Sequence, residues 1–130
     1  MLATTNSTEM PLNIITNIET FDDPSYWMGY RIIMSDATKN ITGKIENTRN
    51  CCEKWGIHTK SNLNEFIGAE YYSIHICEQK RKKYEEMRMV DITVTTNRGN
   101  ITLHLYNEHN GYYLHDVFIQ SENGIQIIKL

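Results

Sequence analysis

The stretch "NITLHLYNEHNGYYLHDVFIQ", Asn100 to Gln120, decides how the fold is read. Ile101, Leu103 and Leu105 alternate with Thr102, His104 and Tyr106, and Val117 and Ile119 follow at the same spacing. Period-two alternation is the mark of a half-buried strand. Asn110-Gly111 lies between the two runs, and both residues tolerate positive φ, so the pair signals a hairpin. A three-residue loop, His109 to Gly111, sets Glu108 against Tyr112, Leu103 against Val117 and Ile101 against Ile119. That register collects four apolar side chains on one face. A two-residue loop sets Leu105 against Asp116 and wastes the face, so burial selects the first. The opposite face then holds His104 across from Asp116, with Tyr106 across from Leu114.

The same reading extends outward. "NRG", Asn97 to Gly99, is a tight turn. "MVDITVTT" and "AEYYSIHIC" alternate like antiparallel strands and are separated by the charged stretch "KRKKYEEMR". Upstream, "SNLNEFIG", Ser61 to Gly68, predicts one short helix: Ser61 caps it, Leu63, Phe66 and Ile67 share a face, and Gly68 stops it. "MGYRIIMSD" and "ITGKIENTR" predict a hairpin across "DATKN". Ile14 to Ile18 reads as a first strand, "FDDPSYW" as a connector and "IQIIKL" as a last strand. The expected class is α+β: a mostly antiparallel sheet, as a sandwich or partly open barrel, with one short helix packed on it. Residues 1–12 read as a flexible polar tail and 13–130 as one domain.

A chain of 130 residues with 40% hydrophobic residues supports one modest core. Its net charge of -3 gives no global attraction to nucleic acid or anionic membrane. No apolar run approaches the roughly 18 residues of a membrane span. The N-terminus lacks the basic region and apolar core of a signal peptide. Three cysteines suit a reducing compartment, so an intracellular, unsecreted protein is expected, in host cytoplasm or nucleus if it is viral.

Several residues invite chemistry. A His104–Asp116 pair would orient or charge the imidazole, although most such pairs are structural. No Ser or Cys nucleophile is placed beside it, so no triad is claimed. Adjacent Cys51 and Cys52 point to opposite faces of an extended segment and lack zinc spacing. A metal site from Cys52, His58 and Cys77 would need an improbable convergence, and no pattern calls for a cofactor. Glu78 and Lys80 form a Glu-x-Lys motif after an apolar strand, as in some metal-dependent nucleases, but without the flanking helices. Lys80, Arg81, Lys82 and Lys83 form a basic run that serves as an import address or phosphate contact, or simply as a solvated tip. Tyrosines near a turn, Tyr106, Tyr112 and Tyr113, make good contact surfaces.

The segments "NCCEKWGIHT…LNEFIGAEY" and "TVTTNRGNITLHLYNEHNGYYLHDVFI" carry a pattern. It comprises Cys51-Cys52-Glu53, a short helix ending in Ile67-Gly68, and a late strand pair with Tyr106 and a turn at Asn110 followed by Gly111-Tyr112-Tyr113. The pattern resembles an uncharacterised small-domain family of tailed phages and large DNA viruses. The likeness runs from about Arg49 to Ile119. It implies a viral origin and assigns no activity.

The expected function is that of a small non-enzymatic viral accessory protein that binds a host or viral protein. The expected surface is the late hairpin: His104, Tyr106, His109, Asn110, Tyr112, Tyr113 and Asp116. Nucleic-acid binding or nuclear targeting through Lys80–Lys83 is one alternative. A nuclease-like hydrolase using Glu78, Lys80 and groups of the late hairpin is another. Exposed strand edges are compatible with a homodimer.

Overall fold

Short β-branched runs separated by Asn, Asp and Gly build strands here, and the strands sort into two sheets. The structure, a computed structural model, describes residues 12–23, 26–47, 54–82, 86–109 and 114–130. Side chains at 80–82, 86, 87 and 109 lie outside that description. The strands are β1 (Ile15–Asp22), β2 (Trp27–Met34), β3 (Ile41–Glu46), β4 (Lys54–His58), β5 (Tyr71–Lys82), β6 (Glu86–Thr96), β7 (Gly99–His109), β8 (Asp116–Ser121) and β9 (Gly124–Lys129). One sheet has the order β1-β2-β3-β8-β9 and the other β4-β7-β6-β5, with antiparallel neighbours throughout. In the second sheet the β5-β6-β7 meander returns beside β4, a Greek-key arrangement.

The two sheets share one core. Ile32, Ile41, Ile45, Val117 and Ile119 come from the five-stranded sheet. Val90, Ile92, Val94, Ile101, Leu103 and Leu105 come from the four-stranded sheet. Each fully buried side chain of this size contributes about 1.5–3 kcal/mol. Gly43 lets the layers close, because a Cβ there would stand 2.7 Å from Ile92 Cδ1. The fold is a β-sandwich, not a barrel.

The predicted β2–β3 hairpin forms, with Tyr30 opposite Gly43 and Ile32 opposite Ile41. The "NRG" turn closes β6 onto β7, and "IQIIKL" lies in β9. Two expectations are corrected. No α-helix occurs among the described residues; Ser61–Gly68 contains a single 3-10 turn, Leu63–Phe66. Leu63 and Phe66 face the core at the period of three that suits such a turn, while Ile67 is exposed. Arg98, from the β6–β7 turn, donates to the carbonyls of Glu65 and Ile67 at 2.9 and 3.0 Å, so an outside side chain takes up acceptors of the turn. Gly68 ends it at φ +94°, as expected.

The late pair is not a hairpin. β7 already has β6 on one edge and β4 on the other, so no edge is free for β8. Leu103 pairs with Ile92 and Ile101 with Val94. Val117 instead pairs with Ile45 and Ile128, and Ile119 with Gly43 and Gln126. All four side chains still point into the shared core, so the faces were assigned correctly and the partners were not. "NCCEKWGIH" also supplies β4, a strand the sequence reading left unplaced.

Candidate functional site

Because both inner faces are used up in the core, function must come from the outer faces, the edges and the seams. On the outer face of the four-stranded sheet, register aligns one residue from each strand. His58 opposes His104, His104 opposes Asp91, and Asp91 opposes Cys77. His104 Nδ1 lies 2.7 Å from Asp91 Oδ1, with both side chains about one-fifth exposed. The His58 ring stacks on His104 at 4.9 Å and 27°, and the Tyr106 ring meets His58 edge-on at 5.6 Å. Tyr106 lies across Gly56, its directly opposed neighbour, where a Cβ would come within 3.3 Å of the phenol oxygen.

The carboxylate partner of His104 is therefore Asp91, not Asp116. Asp116 sits in the other sheet, accepts from Lys129 Nζ at 2.8 Å, and donates its backbone N–H to Glu46 Oε1. The bond to Asp116 raises the Lys129 ammonium above its ordinary range. Tyr106 opposes Met89 and Gly56, not Leu114. His58 and Cys77 stand on the two edge strands with β7 and β6 between them, roughly 14 Å apart at the usual strand spacing. They cannot share a metal.

The remaining predicted residues divide. Asn110, Tyr112, Tyr113, Lys83, Cys51 and Cys52 lie outside the described residues, as does the side chain of His109. Lys80, Arg81 and Lys82 lie in β5, with Lys80 opposite Arg88, Arg81 opposite Met87 and Lys82 opposite Glu86. Glu78 opposes Val90, with the core-facing parity, so Glu78, His104 and Asp116 fall on three different surfaces. No hydrolase cleft assembles from them.

The outer face of the five-stranded sheet was not anticipated. Register lines up Phe21, Gly29, Lys44, Phe118 and Ile127 across all five strands. Lys44 Nζ lies 4.7 Å from the ring centroids of both Trp27 and Phe118. Arg31 covers Phe21 at 5.7 Å. Burial, and then the neighbouring Arg31 guanidinium, hold the Lys44 ammonium below the usual lysine range. Ile125 and Ile127 on edge strand β9 are 62% and 66% exposed. A groove of about 460 Å³ follows the seam between β5 and β9, lined by Ile74, Ile76, Ile119 and Ile125 among others. The signal was present in the sequence: Phe118 breaks the alternation of β8, and "IQII" is apolar on both faces.

His115 was also passed over, and it is a satisfied core histidine. It is fully buried, stacks on Trp55 at 4.6 Å, and lies with Nδ1 2.9 Å from the Glu46 carbonyl. It ties β4 of one sheet to β3 and β8 of the other.

No described helix is long and apolar enough to cross a membrane. No curated protein and no solved structure matches the chain. Residues 10–119 match the family described as a domain of unknown function, DUF7448. That span takes in β1 to β7 and the start of β8, so the protein belongs to the DUF7448 family.

Proposed function

We propose that the protein is a non-enzymatic binding module that engages another protein through the outer face of its five-stranded sheet. The observation that carries this reading is the row Phe21–Lys44–Phe118–Ile127, extended by Trp27 and Ile125. The outer face of a sandwich is ordinarily polar. A contiguous aromatic and aliphatic patch there, rimmed by Arg31 and Glu19, has the composition of a contact surface. On the resemblance to phage and large-virus domains, the partner is a host or viral protein and the chain acts as an accessory factor. In a capture experiment from the cells that make it, the Ile125→Lys/Ile127→Lys double variant should lose the partner while keeping its fold. Undiminished capture by that variant excludes this face.

Nucleic-acid binding is the second reading. It is favoured by the β5–β6 register, which sets Lys80 of the basic run directly opposite Arg88. Affinity for DNA or RNA should then fall steeply with added salt. A salt-insensitive interaction rules it out.

A further inference from the structure

We propose that His58 and His104 form an open, two-imidazole site for a borderline divalent metal ion such as Zn²⁺, Ni²⁺ or Cu²⁺, with Asp91 positioning His104. Direct opposition across β4 and β7 fixes the two Cβ atoms about 4.5–5.5 Å apart on one face. The rings already lie 4.9 Å apart and within 27° of parallel. Histidine χ2 is a soft torsion, so with His104 held by Asp91 the His58 ring can rotate out of the stack and turn its lone pair toward His104 Nε2, where both imidazoles can bind one ion at about 2.1 Å.

Three further observations support the site. In its neutral form His104 donates Nδ1–H to Asp91 Oδ1 at 2.7 Å, which leaves the Nε2 lone pair pointing away from the carboxylate. A ligating histidine whose other ring N–H is held by a carboxylate is the usual supporting arrangement of a metal centre. Among the described residues no hydrogen bond reaches His104 Nε2 or either ring nitrogen of His58. His58, exposed on edge strand β4, stacks on His104 and meets the Tyr106 ring edge-on, and Tyr106 is seated over Gly56.

The charge environment agrees. The row carries Asp91 and no lysine or arginine. Among the described residues no three of His, Cys, Asp and Glu converge around one point. The site is therefore open, with water completing the coordination shell, and the ion exchanges readily. Nitrogen ligands favour Cu²⁺ over Ni²⁺ and Zn²⁺ and give no hold on Mg²⁺ or Ca²⁺.

The test is calorimetric titration of the untagged full chain with Ni²⁺ and with Zn²⁺, with Mg²⁺ as the comparison ion. His58→Ala and His104→Gln should each weaken Ni²⁺ binding at least tenfold. Asp91→Asn should weaken it about tenfold, the usual effect of losing an outer carboxylate. His75→Ala, on the same face but off this row, should change nothing. Equal Ni²⁺ affinity in the wild type and the His58→Ala variant overturns the proposal, as does Mg²⁺ binding as tight as Ni²⁺. Should the variants not fold, imidazole proton resonances of the wild type decide. Paramagnetic broadening by Ni²⁺ at His58 and His104 supports the site, and broadening that spares both overturns it.

Discussion

The two outer faces of this sandwich cover the same core and have opposite characters. The five-stranded face presents Phe21, Trp27, Phe118, Ile125 and Ile127 around the cations Arg31 and Lys44. The four-stranded face presents histidine, aspartate, threonine and tyrosine. One therefore offers apolar area and the other offers lone pairs. The difference teaches where specificity can reside: the shared interior is generic β-branched packing, and each exterior row is a separate solution reached by register.

That contrast can be broken at its base. Leu103→Ala, in the layer both faces rest on, should cost about 2–5 kcal/mol in denaturant unfolding, because a fully buried side chain leaves a cavity. Both faces should be lost together. Gly43→Val should cost about 1–3 kcal/mol, since its branches would push on Ile92 between the sheets. A smaller effect joins the sheets at their margin, where Tyr71 Oη donates to Glu122 at 2.7 Å. Burial first, and then Glu122, raise the Tyr71 phenol above its ordinary value. The folded state thus favours the neutral phenol. Its contribution is complete below the unfolded value of about 10 and is lost as pH rises from there toward the folded one. Tyr71→Phe should cost about 1 kcal/mol at neutral pH and lessen the alkaline loss of stability, as read by thermal midpoints across pH 8–11. Least disruptive is Ile125→Lys/Ile127→Lys, which should stay within about 0.5 kcal/mol per substitution while altering only the apolar face. A large loss of stability there would mean that these two side chains, like Ile128 of the same strand, pack on the core.

Strand positions other than β4, and the inward faces, were legible because period two is a local property of the chain. Ile101, Leu103, Val117 and Ile119 point inward whichever strands they pair with, since both sheets bury the same side. Partners were not legible. The Asn-Gly pair promised a hairpin, but occupancy of both β7 edges is decided by β4, some 45 residues upstream. The 3-10 turn read as a helix because Leu63 and Phe66 fit both periods and Ile67 fits the helical one, and the Arg98 contacts to the turn come from a distant part of the chain. The His–Asp pair was right in kind and wrong in partner. His104 was marked, whereas Asp91 and His58 become its neighbours only through cross-strand register.

The two tryptophans of the chain fall on opposite sides of these distinctions. Trp27 stands on the aromatic exterior beside Lys44 and Phe118, and Trp55 is stacked on buried His115 where the layers join. Intrinsic emission therefore carries two separable signals. Single-tryptophan versions would report docking through one indole and delamination of the sandwich through the other, with no added dye.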